Sequence, residues 1–208
     1  MKYRGLLFAC WLLLASAIPM AADEGYLFPA PIRGEHAAIL GNKTDTVKVF
    51  EYEGRQVITI IDFPTLAEQG RMFNRVVALI ERIGAPRGRV MSNEELAQFI
   101  RSIGKTEATL AYGNDFLVGE LVVFFNLADL GNIKLNSEEL ALRQQLLDRR
   151  MIVERNGFFQ AVIPHAVILS VPQAGGGKPS VSDLARRTIL THEISHAEYY
   201  TNPLYANF

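Results

Sequence analysis

Residues 190–200 run Leu-Thr-His-Glu-Ile-Ser-His-Ala-Glu-Tyr-Tyr and contain the pattern His-Glu-x-x-His. On a helix of 3.6 residues per turn, His192 and His196 lie about 40° apart around the axis, so both imidazoles can reach one metal ion. Glu193 flanks the same face, where its carboxylate could act as a general base on a metal-held water. The pattern predicts zinc, which lowers the pKa of a bound water to about 7 when three protein ligands leave one position open.

The sequence around the motif has helix boundaries on both sides. Ser180 or Ser182 is a candidate N-cap, and an acidic residue follows in the first turn. Asn202-Pro203 is a stop signal, because proline disfavours the helical conformation of the residue before it. We therefore predict a helix over residues 181–200, called the motif helix below.

The motif helix has little charge on either of its two faces around the motif. We expect it to be buried between two layers. A purely structural alternative is a core helix whose two histidines are satisfied by hydrogen bonds. The predicted metal face carries Ala185, Thr188 and Tyr199 beside the two histidines, and the opposite face carries Leu190, Ile194 and Ala197.

The motif resembles the active-site helix of the zincin superfamily of metallopeptidases. The resemblance implies that His192 and His196 are zinc ligands and that Glu193 is the general base. It also implies an α+β fold, with a mixed or antiparallel sheet packed on the helix. The chain is closer to the gluzincin branch than to the metzincin branch, since the glycine and third histidine that extend the metzincin motif do not follow His196.

The third metal ligand is not identified by the sequence. Gluzincins take it from a glutamate on a later helix, and only twelve residues follow His196. Glu198 points about 160° away from His196 on a continuous helix. Other candidates are His165, Asp183, or a residue beyond Phe208 if the chain is a truncated product.

The first 22 residues predict a secretory signal peptide. Lys2 and Arg4 precede an apolar stretch at residues 6–15, and small residues follow. The apolar stretch is short for a membrane span, so we expect no stable span after cleavage, with an uncleaved anchor as the alternative. The mature protein is then exported, to the periplasm or the medium.

Residues 23–208 are predicted to form a single zincin-like α+β domain. The only cysteine, Cys10, lies in the signal, so the mature chain has no disulfide and no thiol nucleophile. Without Lys2 and Arg4, the chain keeps 19 basic against 22 acidic side chains, a formal charge of −3. This balance argues against a nucleic-acid partner.

Alternating and helical patterns divide this domain into strands and helices. We predict hairpins over residues 47–61 and 107–125, helices over 66–83, 92–103 and 136–150, and strands over 151–154, 158–163 and 166–171. In zincins the edge strand beside the active-site helix can pair with an extended substrate. By that resemblance, residues 158–163 or 166–171 are the candidate edge.

Several further side chains carry weaker predictions. His36 is expected in a solvated loop, and Arg186 and Arg187 are expected to extend to solvent beside the helix start. Asp183 is expected to cap the helix. Tyr199 is expected to cover the metal site or to donate a hydrogen bond to an oxyanion.

Together these patterns predict an exported zinc metallopeptidase that acts on peptides or proteins. Glu193 would take a proton from the zinc-bound water and pass it to the leaving amine. The alternative is a catalytically inactive zincin-like module that binds a partner or a peptide.

Overall fold

The computed structural model describes residue 26 and residues 28–205. The predicted signal peptide, residues 1–22, lies outside the described residues, as do residues 206–208. The described chain is a mixed α+β structure with six α-helices and a mixed sheet. None of the helices in this part of the chain is long and apolar enough to cross a membrane.

A five-stranded sheet forms the centre of the structure, in the order β1-β2-β3-β7-β4. β1 is parallel to β2 and β3 is parallel to β7, whereas the β2–β3 and β4–β7 pairs are antiparallel. A separate hairpin is formed by β5 and β6. The strands are β1 (Ile32–Gly34), β2 (Lys48–Tyr52), β3 (Ile58–Phe63), β4 (Asn114–Leu117), β5 (Ile152–Arg155), β6 (Phe158–Ala161) and β7 (Val167–Pro172).

The two central strands, β3 and β7, are buried at every position. Both are continuous runs rich in β-branched residues, as expected for strands covered on two faces. Their side chains alternate between two cores, so that Ile58 and Ile60 face one layer and Ile61 and Phe63 face the other.

Most helices begin at a residue whose side chain accepts a hydrogen bond from the first turn. These N-cap residues belong to the second, third, fifth and sixth helices of the chain and are Thr65, Ser92, Asn136 and Ser182. The helices are α1 (His36–Gly41), α2 (Leu66–Ile80), α3 (Asn93–Ser102), α4 (Val118–Leu130), α5 (Ser137–Asp148) and α6 (Asp183–Thr201). The predicted first hairpin, the three predicted helices of the middle of the chain and the motif helix, now α6, are confirmed.

The sheet separates two layers of helices. α6 and α1 cover one face, where Leu190, Ile194 and Ala197 join the core with Ile39 of α1. The larger core on the other face contains residues of α2, α4 and α5. α6 is thus buried on one side only, and the expectation that it lies between two layers is wrong. Its histidine-bearing side is open, since Ala185, Thr188 and His192 are exposed.

The predicted second hairpin over residues 107–125 is also wrong. Glu107–Thr109 is a short 3-10 turn, and the predicted turn at residues 113–115 contains the start of β4. Residues from Val118 onward continue directly as α4. The error has a physical cause, because an apolar run of this length is compatible with either a buried strand or a buried helix.

The edge strand beside α6 is β4, and neither predicted candidate has this position. β7 lies inside the sheet, between β3 and β4, and β6 pairs with β5 in the separate hairpin. β4 pairs with β7 on one side and is the last strand in the order. The predicted strands themselves, near residues 151–154, 158–163 and 166–171, are confirmed.

Candidate metal centre

Contacts in its first two turns fix the position and the orientation of α6. Ser182 accepts a hydrogen bond from the backbone N–H of Ala185 at 3.1 Å. Arg186 is buried and binds Asp62 of β3 through two hydrogen bonds, of 2.7 and 3.0 Å. The prediction that Arg186 extends to solvent is therefore wrong, whereas Arg187 is exposed as expected. A buried guanidinium requires a carboxylate partner, and the sequence does not show that Asp62 is in reach.

The two motif histidines are brought together on the open side of α6. Their Nε2 atoms lie 3.1 Å apart, and their rings meet at an angle of 65°. Two imidazole nitrogens bound to one tetrahedral zinc ion, each about 2.0–2.1 Å from the metal, are about 3.3 Å apart. The Nε2 atoms of His192 and His196 are thus spaced as two ligands of one ion would be.

Asp115 of β4 supports this pair and was missed by the sequence analysis. Its Oδ2 atom lies 3.2 Å from Nδ1 of His196, within ion-pairing distance. This contact is on the ring nitrogen that faces away from His192, whereas Nε2 of His196 is within hydrogen-bonding distance of Nε2 of His192. Metal-binding histidines commonly have such a carboxylate beside the other ring nitrogen, which fixes the ring orientation.

Strand alternation accounts for the position of Asp115. Asp115 is paired with Leu169 and Leu117 with Val167, and these β7 residues face α6. Phe116 and its partner Ile168 face the opposite core. Two-residue alternation could have placed Asp115 on the α6 side, but only if β4 had been recognised as a strand beside β7.

Glu193 is buried where the backbone before β4 approaches α6. Its exposed fraction is 6%, and no group of the described residues donates a hydrogen bond to its carboxylate. A Cβ atom at Gly113 would overlap this carboxyl group and would lie 2.7 Å from Cγ2 of Ile189. Glycine at position 113 is therefore what leaves room for Glu193.

Several carboxyl groups share this region. Burial, together with the neighbouring carboxylates of Asp115 and Glu81, raises the pKa of Glu193 to about 8. Burial also raises the pKa of Glu81, at the C-terminal end of α2, to about 7, with Asp115 as the second cause. Burial raises the pKa of Asp115, and the nearby His196 opposes that rise. Like charges this close favour either a bound proton or a bound cation.

The three proposed third ligands are not brought to the histidine pair. Glu198 forms an ion pair with Arg55, and Asp183 forms one with Lys43 at 3.0 Å. His165 is exposed in the connection before β7. Within residues 26 and 28–205, no group of three His, Cys, Asp or Glu side chains is placed to hold one metal ion.

Two other predicted surface residues have different environments. His36 is the first residue of α1 rather than a loop residue, and its Nε2 atom lies 3.3 Å from Oγ1 of Thr191. Its position beside α6 corrects the prediction of a solvated loop. Tyr199 is 58% exposed and packs edge-on against Tyr200, with ring centroids 5.7 Å apart.

The site therefore combines two histidines suited to a metal ion, a carboxylate that orients one of them, and a buried glutamate without a hydrogen-bond partner in the described chain. Imidazole nitrogen is a preferred ligand of zinc, but two histidines supply only part of a zinc ligand set, and the described residues bring no third protein ligand to them. Comparison of the chain with models of known families, with curated proteins and with solved structures finds no match.

Proposed function

We propose that this chain is a zinc-dependent hydrolase of the zincin type that cleaves peptide bonds. His192 and His196 would hold the ion, and Glu193 would be the general base. The observation that carries this proposal is the spacing of 3.1 Å between the two Nε2 atoms, with Asp115 beside the opposite ring nitrogen of His196. The same contacts would also satisfy two metal-free histidines by hydrogen bonding, so metal binding must be measured to separate the two interpretations.

Each side chain has a distinct task in this proposal. Zinc, when bound, would act as a Lewis acid and lower the pKa of the attacking water to about 7. Glu193 would take the proton of that water and deliver it to the leaving amine. Asp115 would keep the His196 ring in the orientation that presents Nε2.

Strand β4 supplies a binding surface for an extended peptide. It lies at the edge of the sheet and carries Asp115, so a peptide added along this edge would pass beside the histidine pair. Main-chain hydrogen bonds of this kind hold a peptide regardless of its side chains. β4 thus takes the role that the sequence analysis gave to later strands.

Metal analysis of the purified chain is the first test. We expect about one zinc per chain, retained by Glu193→Gln and lost by His192→Ala. Cleavage of a fluorogenic peptide mixture should be lost in both variants. A zinc-free wild-type chain that still cleaves peptides, or a Glu193→Gln variant with full activity, would overturn the proposal.

A catalytically inactive module that binds peptides along β4 is the second candidate. It is favoured by the ion pairs of Glu198 with Arg55 and of Asp183 with Lys43, which engage two of the possible third ligands elsewhere. Peptide binding that is unchanged by chelation and by His192→Ala would support the module.

We also propose that the protein acts outside the cytoplasm, either in the periplasm or after secretion. The charged and apolar pattern of residues 1–22 supports this. Fractionation of cells that express the full chain, with mass determination of the mature N-terminus, tests the proposal.

A further inference from the structure

A second concave surface lies beside the N-terminal end of α6, distant from the histidine pair along that helix. It is a cavity of about 680 Å³, open to solvent, and we call it the basic groove. Part of its lining is apolar and comes from α2, α3 and the 3-10 turn, through Ala67, Ala97, Ile100 and Ala108.

Three cationic side chains, Arg101, Lys105 and Lys178, line the same groove. None of the three has an ion-pair or hydrogen-bond partner for its charged group among residues 26 and 28–205. By contrast, the carboxylates of Glu94 and Glu95 on the same helix as Arg101 lie at its other end. Glu107 is the single acidic residue that lines the groove. The groove thus has a net positive charge and an apolar lining.

The basic groove and the candidate metal centre share a packing contact. Ala108 of the groove lining packs in one cluster with Leu66 and Val181, and Ile189 packs against this cluster. Ile189 also borders Gly113, whose backbone lies against Glu193. Val181 lies just before α6, and the ten residues from Asp183 to Glu193 rise roughly 15 Å along the helix, a span of about four to five extended residues.

We propose that the basic groove binds an acidic side chain of a peptide whose backbone continues along β4 to the histidine pair. The positive charge selects a carboxylate, and the apolar lining accepts the aliphatic stem of a glutamate or a neighbouring apolar residue. If the bound peptide is a substrate, this inference rests on the proposed function. Binding of an acidic peptide in the groove requires neither zinc nor hydrolysis.

Peptide binding to the Glu193→Gln chain, which should bind without cleavage, tests this inference. The probes are fluorescein-labelled eight-residue peptides of alanine and serine, with two glutamates at either the first or the last two positions. Matched probes carry glutamine instead. We expect one glutamate peptide to bind at least about tenfold more tightly than its glutamine control in fluorescence anisotropy at low salt.

The expected preference should depend on the groove cations. Lys105→Gln combined with Lys178→Gln should abolish it, whereas Lys48→Gln combined with Arg155→Gln removes the same charge outside the groove and should leave it intact. Thermal unfolding monitors the fold of both double variants. Equal binding of all probes, no binding up to about 1 mM, or a preference that survives loss of the two groove lysines would overturn the inference.

The same experiment separates this inference from the proposed hydrolase. A glutamate preference in a chain that binds no zinc would support peptide binding in the basic groove and contradict the proposed hydrolase. Zinc-dependent cleavage without a glutamate preference would support the hydrolase and contradict the role of the groove. In an active chain, mass spectrometry should place the cleaved bond about four to six residues from the preferred glutamate.

Discussion

The position of the Glu193 side chain depends on glycine at position 113, because its carboxyl group occupies space that the side chain of any other residue there would fill. The chain runs close to α6 here, and the carboxylate is left buried beside Asp115. Burial favours the protonated form of this carboxyl group.

Gly113→Ala should displace Glu193 and impair the site. The added methyl group would meet Cδ of Glu193 at 2.8 Å and Cγ2 of Ile189 at 2.7 Å. We expect a loss of about 1–3 kcal/mol in the free energy of unfolding, by analogy with overpacked cores, and a large loss of peptide cleavage. Urea unfolding and cleavage rates measure the two effects.

Gly119→Ala is the matched control for that substitution. A Cβ atom there would lie 3.5 Å from the backbone oxygen of Pro164, an ordinary contact. Gly119 lies in α4, so alanine should leave stability unchanged or slightly increased. Equal losses in the two variants would contradict the role assigned to Gly113.

Asp115→Asn should weaken zinc binding by about 10–100-fold. The substitution keeps the size of the side chain and removes the charge that lies 3.2 Å from Nδ1 of His196. Competition with a chromophoric chelator measures the affinity. Asp129→Asn removes a charge from the exposed end of α4 and serves as the control, with unchanged affinity expected. An unchanged zinc affinity in Asp115→Asn would contradict its orienting role.

At the scale of single elements, local signals determine where most helices begin. The capping box at α3 consists of Ser92 and Glu95, each of which bonds to the backbone of the other. This pattern is visible in the sequence, as are the N-caps of α5 and α6. The helices of the middle of the chain could be predicted because the residues that form each start signal lie within four residues of one another in the sequence.

The capping box gives a pH-dependent contribution to stability. Arg89 and the backbone N–H of Ser92 lower the pKa of Glu95 from 4.5 to about 2. A lowered pKa in the folded state stabilises the protein above the unfolded value, and this stabilisation is lost as the pH falls from about 4.5 towards 2. The difference in unfolding free energy between the wild type and Glu95→Gln should therefore shrink over that range.

Urea unfolding at a series of pH values between about 2 and 6 measures this difference. Glu154→Gln is the control, since Glu154 is an exposed strand residue whose side-chain carboxylate has no hydrogen-bond partner in the described chain. Its effect should be small throughout. A constant effect of Glu95→Gln across the pH range would contradict the capping contribution.

Strand β4 shows where sequence analysis fails at this scale. It has four residues, two of them polar, and is followed without a break by a predominantly apolar helix. Its identity as a strand depends on pairing with β7, more than fifty residues later. The role of Asp115 depends on the same pairing, so it could not be predicted, whereas the positions of His192, Glu193 and His196 relative to one another follow from the helical period alone.

At the scale of the whole molecule, the buried pair of Arg186 and Asp62 joins three elements. Arg186 binds Asp62 of β3 and also donates to the backbone oxygens of Leu40 and Pro172. Asn42 donates to the second oxygen of Asp62 at 2.8 Å. The network holds α1, the sheet and α6 together. Its partners are 124 residues apart in the chain, which explains why Arg186 was predicted at the surface.

Arg186→Met should destabilise the chain by about 3–5 kcal/mol, because it leaves Asp62 charged and buried without its partner. The double variant with Asp62→Leu should recover part of this loss, since an apolar pair needs no compensation. Thermal or urea unfolding measures each variant, and Arg187→Met is the exposed control. A double variant that is less stable than Arg186→Met would contradict this account of the network.

The strand order β1-β2-β3-β7-β4 has a consequence for the timing of biosynthesis. β7 is the last strand to leave the ribosome, yet it lies between β3 and β4 and connects them. Sheets with such non-local pairings fold slowly, and the nascent chain before β7 has two strand edges that await the same partner. Asp115 of β4 can therefore be fixed beside His196 only after β7 and α6 have both been synthesised, because β4 pairs with β7 alone among the described strands.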